Sequence, residues 1–354
     1  MLNVLAVRLD SAGDVLLAGP AVRALAARAD RVTLLAGPRG RAAAELLPGV
    51  DEILQWHCPW IDPEPDPVTR GDVLAVADAI ARLRVTRAVI LTSFHQDPLP
   101  TALLLRLAGV PHVSAESEDY PGSLLDVRHR LPGSGLHEVD RMLSVAEAAG
   151  FPPPADTRLR LRGPLPDVSG LLSPLADSAG TGTRRGYVVV HPGASVPARA
   201  PTPERCAEYV AALTRQGWPV AVTGTPEEKA VTAAAAAGSG TGNVVDLGGR
   251  TGLAELAAVL SGASAVVTGN TAPAHLAAAV GTPVVSLFAP TVPLERWRPW
   301  RVPHVVLGDQ GAPCAGTRAK NCPVPGHPCL SGVTPDQVVS AVQSLTAATL
   351  EAHA

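Results

Sequence analysis

Lysine is almost missing from this chain. Lys229 and Lys320 are the only two, and arginine supplies the rest of the 29 basic residues. Single Lys-to-Arg exchanges therefore reflect composition and carry little functional weight. Blocks of like charge are missing as well, and the formal net charge is −3, which excludes the basic footprint that nucleic-acid binding requires. No uncharged apolar run of about 18 residues occurs, so no membrane-spanning helix is expected. No charged segment followed by an apolar stretch opens the N-terminus, so a signal peptide is not expected either. The five cysteines are too few and too irregularly spaced for a disulfide framework, and a reduced, cytoplasmic protein is the expectation. Two glycine signatures are absent from the strand-to-helix turns: G-x-x-x-x-G-K-S/T and G-x-G-x-x-G. The second absence speaks against a nicotinamide-dependent dehydrogenase.

What is present is a globular composition, 46% hydrophobic and 17% charged over 354 residues, long enough for two domains. Short apolar runs alternate with helical periodicity. In the first half strands are expected over 4–7, 32–35, 52–55, 88–91 and 113–115, with helices over 14–29, 40–47, 72–83, 101–108 and 137–149. In the second half strands are expected over 187–190, 220–223, 244–246, 265–268 and 284–288. Helices there fall over 203–216, 227–237, 253–260, 272–280 and 334–352. Such alternation implies an α/β fold with parallel sheets. A stretch rich in Pro, Gly, Ser and Thr separates the halves. The expected organisation is an N-terminal domain over 1–165, a linker over 166–186, a C-terminal domain over 187–333 and a final helix over 334–354.

Four segments carry candidate chemistry. Arg8-Leu9-Asp10-Ser11-Ala12-Gly13-Asp14 joins the first strand to the first helix. Ser11 suits a helix cap, Gly13 permits close approach to the backbone, and Asp14 sits where the helix dipole favours a carboxylate. Asp14 is either a general base toward a hydroxyl or a first-turn aspartate without chemistry. His191-Pro192-Gly193-Ala194-Ser195 follows the first strand of the second half, with Arg199 close behind. Its N–H groups and Arg199 suit a diphosphate, although Arg199 reads equally as a surface arginine. Thr223-Gly224-Thr225-Pro226-Glu227-Glu228 offers a sharp turn and an acid for ribose hydroxyls, or simply two acids in a first helical turn. Thr268-Gly269-Asn270-Thr271-Ala272-Pro273-Ala274-His275 is the strongest signal, a strand end followed by a capped helix whose N–H groups suit a diphosphate. His275 lies one turn further in. Late in the chain, Cys314, Cys322, His327 and Cys329 cluster, and read as a zinc site, a disulfide or buried thiols.

In order and spacing these segments resemble glycosyltransferase family 9, the ADP-heptose:lipopolysaccharide heptosyltransferases. The resemblance runs from Arg8–Leu16 and Pro20–Leu25 through His191–Ser195 and Thr268–Ala279 to Gly281–Phe288. It implies a GT-B fold, two Rossmann-like domains with parallel sheets facing a central cleft, and metal-independent, inverting transfer from a nucleotide sugar. ADP-heptose is the implied donor, with no cofactor. By the same resemblance Asp14 is the general base and Ser11, Ala12 and Gly13 form its loop. Ser195 and Arg199 hold donor phosphates, Glu227 (or Glu228) is the acidic donor-binding position, and Thr223 and Gly224 are counted with the donor-binding residues. Thr251 falls near adenine, and Asn270, Thr271, Ala272 and His275 form a donor-binding element. Asn270 and Ala272 stand where the family has aspartate and glycine, which leaves another NDP-hexose open as donor, in secondary-metabolite or cell-wall glycosylation. A nucleotide-sugar epimerase and a non-catalytic donor-binding scaffold remain as alternatives. The acceptor is expected to be a saccharide, a lipid-linked sugar or a small molecule, with at most peripheral membrane association.

Overall fold

The computed structural model describes residues 1–131, 133, 135–176, 186–239 and 243–353. The chain divides into two units, Met1–Arg162 and Gly163–Ala354. In chain order the first unit consists of β1 (Asn3–Arg8), α1 (Ala12–Ala26), β2 (Arg31–Ala36), α2 (Arg41–Leu46), β3 (Glu52–Gln55), α3 (Arg70–Arg82), β4 (Arg87–Ile90), α4 (Leu99–Leu107), β5 (Val113–Glu116), β6 (Val127–His129) and α5 (Glu138–Ala148). Its strands form one parallel sheet in the order β3-β2-β1-β4-β5-β6. Within β1, Val4–Val7 reads as a continuous apolar run because the strand is covered on both faces. On one face Leu5, Val7, Ile90 and Val113 pack with Ile80, Leu104 and Leu105, each full burial contributing ~1.5–3 kcal/mol. On the other, α1 packs against α5.

The second unit consists of α6 (Ser169–Ala176), β7 (Val188–His191), α7 (Pro203–Arg215), β8 (Val220–Val222), α8 (Lys229–Ala237), β9 (Val244–Asp246), α9 (Leu253–Ser261), β10 (Ala265–Gly269), α10 (Ala272–Val280), β11 (Val284–Leu287), α11 (Leu294–Trp297), β12 (His304–Leu307), α12 (Pro328–Ser331) and α13 (Pro335–His353). Its parallel sheet has the order β9-β8-β7-β10-β11-β12. Counted from each unit's first strand, the two sheets share one connectivity, 3-2-1-4-5-6, the Rossmann order. Gly281 closes α10 in the left-handed conformation at φ 85°, which a residue with a Cβ adopts at a cost. Helix α13 packs on α7 and on β10, β11 and β12, and puts Val338, Ala341, Val342 and Leu345 into the second core.

Several elements differ from the sequence reading. The edge strands β6 and β12 were not expected. Both are short and half-buried, so neither shows an uninterrupted apolar run. Part of the expected 166–186 linker is helix α6, which contacts β9, buries Leu175 and accepts a hydrogen bond from Asn243 Nδ2 at Leu175 O. Pro174 inside this helix masks its pattern. Residues 177–185 of that linker, and Ala354 of the expected final helix, lie outside the described residues. Among the described residues no helix is long and apolar enough to cross a membrane.

Candidate functional site

In the first unit the strand order reverses between β1 and β4, where sheets of this kind leave a crevice beyond their strand ends. Two segments, the β1–α1 turn and the stretch after β4, meet there through one side chain, that of the fully buried Arg8. Its Nη1 donates to Leu91 O (2.7 Å), and its Nη2 donates to Ser93 Oγ (2.8 Å) and to Asp14 Oδ1 (2.9 Å). Its Nε lies 3.2 Å from Asp10 Oδ2. Gln96 closes the ring: its Nε2 donates to Asp10 Oδ1 (2.6 Å) and its Oε1 accepts from Ser93 N (2.8 Å). A buried charge is tolerated when it is paired and its donors are satisfied. Burial alone would lower the Arg8 pKa. The facing Asp10, Asp14 and Glu138 outweigh it and raise that pKa above its ordinary value. Burial is also the main force on Asp10, pushing its carboxyl above the usual range against the pull of Arg8.

Ser11 takes the N-cap position of α1, but its hydroxyl makes no bond to the helix backbone. It donates to Asp14 Oδ2 at 2.9 Å. Ala12 and Gly13 form the first turn, with Gly13 buried, and the Asp14 side chain is 21% exposed. A second arginine repeats the arrangement next door. Arg141, in the first turn of α5, pairs with Glu116 (2.5 Å) and Glu138 (3.4 Å) and donates to the Thr92 carbonyl.

In the second unit the reversal falls between β7 and β10, where His191 and Thr268 are register partners. His191 is buried. Its Nδ1 is hydrogen-bonded to Thr223 Oγ1 (3.0 Å), and its Nε2 lies 3.8 Å from Glu228 Oε2. Burial holds the imidazole pKa below its ordinary value, with Glu228 opposing. Glu228 Oε2 accepts from Thr225 N (2.8 Å), forming the capping box of the Pro226–Glu228 turn. It packs so closely on Gly193 that a Cβ there would fall 2.0 Å from Glu228 Oε1. Of the two neighbouring acids, Glu228 is therefore occupied in holding loops together and Glu227 is exposed. Thr223 is buried on His191, and Gly224 lies where a Cβ would meet Thr232 at 2.5 Å.

The Pro197–Arg199 turn crosses the end of β10 so closely that a Cβ on Gly269 would meet Arg199 O at 2.4 Å. Two bonds from far along the chain hold this turn: Ala198 N donates to Lys320 O (3.0 Å), and His327 Nε2 donates to Ala198 O (3.1 Å). Ser195 is exposed and Arg199 is half-buried. Thr271 is the N-cap of α10, Ala272 opens the helix, and His275 is buried one turn in. Asn270 is buried too. Its Oδ1 accepts from Ala289 N (3.3 Å) and its Nδ2 donates to Ala289 O (3.5 Å). An amide meets both backbone needs of one residue, whereas a carboxylate could only accept. Thr251 is half-buried just ahead of α9.

The late cysteines are thiols. Cys314 and Cys329 lie in the second core, and burial pushes the Cys329 thiol up to about 12. Cys322 donates to Val324 O (3.3 Å). Among the described residues no group of three or more His, Cys, Asp or Glu side chains is arranged to hold a metal ion, so zinc at Cys314, Cys322, His327 and Cys329 gains no support. Sequence reasoning quoted Arg8 and Asp10 only as parts of a motif and missed Ser93 and Gln96 altogether. An arginine at the end of an apolar strand was the available signal for Arg8.

Glycosyltransferases are among the solved structures that share this GT-B fold. Escherichia coli ADP-heptose lipopolysaccharide heptosyltransferase II superposes with a TM-score of 0.73 at 20% identity, over 100% of both chains. A glycosyl transferase family 9 protein from Veillonella parvula gives 0.77 at 18%, over 98% of this chain and 97% of the other. Escherichia coli heptosyltransferase WaaC with ADP gives 0.65 at 19%, over 97% of each. The profile of glycosyltransferase family 9 (heptosyltransferase) matches residues 88–327, and the chain belongs to that family. Lipopolysaccharide heptosyltransferase 3 of Escherichia coli K12 is 32% identical over 175 residues. That match takes in 49% of this chain and 49% of the relative, so the chain spans about half the length of the curated relatives it matches.

Proposed function

We propose that this protein is an inverting glycosyltransferase that moves a heptose from ADP-heptose to an acceptor hydroxyl, with Asp14 as general base. Family membership sets the reaction class. The observation that carries the assignment of Asp14 is its carboxylate, fixed by Arg8 and Ser11 at the β1/β4 switch point and still open to solvent. Asp14 takes the proton of the acceptor hydroxyl as the oxygen attacks the anomeric carbon. The C1–O bond to the diphosphate breaks on the opposite face, and ADP leaves with that electron pair. On the C-terminal unit, Arg199 and the N-terminus of α10, capped by Thr271 and offering the Ala272 N–H while the Thr271 N–H is donated to Gly269 O, offset the charge that builds on the leaving diphosphate, so no metal is needed. Ser195, Thr223, Gly224, Glu227, Thr251, Asn270 and His275 complete the donor-binding set. Asn270 acts on the donor through the Ala289 backbone it holds.

The protein is read as cytoplasmic, with a saccharide, lipid-linked or small-molecule acceptor. Calorimetry with ADP, UDP, GDP and dTDP, with and without magnesium, tests the donor. ADP is expected to bind most tightly, and equally well without the metal. Preference for another nucleotide overturns ADP-heptose, and failure of all four to bind points to a scaffold.

A further inference from the structure

We infer that Arg8 is the positioning residue for Asp14: its guanidinium locks the orientation of the carboxylate and holds it ionised. The inference rests on the reading of Asp14 as base, and deepens it. Its basis is the asymmetry of the two carboxylate oxygens. Oδ1 is bound by Arg8, which is itself fixed by Leu91 O, Ser93 Oγ and Asp10. None of these Arg8 contacts can be released singly, because the guanidinium is planar and fully buried. Oδ2 accepts from Ser11, a half-buried hydroxyl on a single rotatable bond at the cap of α1. The Arg8 side therefore sets direction, and the Ser11 side can yield to an incoming hydroxyl. Asp10 and Gln96 brace Arg8 from behind, which explains why the apolar run Val4–Val7 is followed by an arginine at the end of the strand.

Other charges in the neighbourhood are Glu138 and Arg141 on α5, which packs against α1, and Glu116 on β5, which pairs with Arg141. An adjacent guanidinium favours the ionised form of a carboxyl, and losing one typically raises a carboxyl pKa by about one to three units. Lysine would carry the charge as a point without the fork, and could not reach all four partners at once.

The test is an NMR pH titration of the full chain labelled with 13C at the aspartate carboxyl carbons, with Asp14→Asn identifying the Asp14 signal. In Arg8→Met the apparent pKa of Asp14 is expected to move up by about one to three units. In Arg8→Lys it is expected to move up by less, and circular dichroism establishes that each variant is folded. If Arg8→Met does not fold, Arg8→Lys alone decides. An Asp14 titration midpoint unchanged in every folded variant overturns the inference. Transfer from ADP-heptose to a lipopolysaccharide core saccharide supplies a second readout. Arg8→Lys is expected to lower kcat with KM for the donor unchanged, and to have no further effect once Asp14 is Asn. Equal losses in both backgrounds mean a merely structural Arg8. Full transfer by Asp14→Asn would instead overturn the base assignment while leaving the titration result standing, so the two failures are distinguishable.

Discussion

Replacing Gly193 with alanine probes how the second unit's loops are held together. The added Cβ falls 2.0 Å from Glu228 Oε1 and 2.2 Å from its carboxyl carbon, so the two groups cannot coexist. The obstructing group is the end of a flexible side chain, and Glu228 is expected to swing away while the backbone stays in place. What is lost is then the bond from Thr225 N to Glu228 Oε2, together with the nearby charge facing His191. A hydrogen bond to a charged group contributes ~1.5–3 kcal/mol. For a unit of this size 1 kcal/mol is worth about 2–4 °C, so a loss near ~2 kcal/mol lowers Tm by roughly 4–8 °C. The assay is thermal and urea unfolding of four proteins: wild type, Gly193→Ala, Glu228→Ala and the double variant. With Glu228 already truncated the three atoms nearest the new methyl are gone, and Gly193→Ala should cost close to zero. The reasoning is refuted if Gly193→Ala costs the same in both backgrounds, because the clash would then lie elsewhere.

Gly269→Ala differs in kind, since its Cβ would meet a backbone atom, Arg199 O, at 2.4 Å. The Pro197–Arg199 turn must shift, and ADP affinity measured by calorimetry should drop by about tenfold or more, equivalent to ~1.4 kcal/mol. Asn270→Ala leaves both the N–H and the carbonyl of buried Ala289 without their amide partner. It should destabilise the protein by ~1–3 kcal/mol in urea unfolding. The burial-lowered pKa of His191 has a signed consequence. The unfolded state, with its imidazole near the ordinary 6.5, takes up the proton first. Stability is therefore fully present above about pH 6.5 and is lost as pH falls toward the folded pKa. His191→Gln should flatten that acid limb, as read by urea unfolding between pH 7 and pH 5.

Central strands were the easiest part to read. β1, β7, β10 and β11 are buried and their sequences are mostly apolar, interrupted only by a polar residue such as Arg8, His191, Thr268 or Ser286, and the strand–helix alternation follows from them. Edge strands such as Val127–His129 face solvent on one side and are too short to establish a period. The turns that carry candidate chemistry could be located, because a strand end followed by a capped helix leaves a local mark. How those turns are tied together could not. Gln96 meets Asp10 across 86 residues, and His327 meets Ala198 across 129. No local pattern encodes such pairings. The division of labour between Glu227 and Glu228 was equally hidden, since it depends on which side chain the turn aims back at Gly193.

Helix α13 has a consequence for how the protein comes to be made. It supplies Val338, Ala341, Val342 and Leu345 to a core that also holds β7, β10 and β11. During synthesis the N-terminal unit can close as soon as α5 has emerged. The second sheet stays open on one face until α13 has been made. At ~5–20 residues per second that interval is about ten to forty seconds. For most of it the thiol of Cys206, sealed in the finished core, is open to whatever oxidants surround the nascent chain, and the thiols of Cys314 and Cys329 join it only near the end. The docking of α13 is thus also the step that closes these thiols off from solvent.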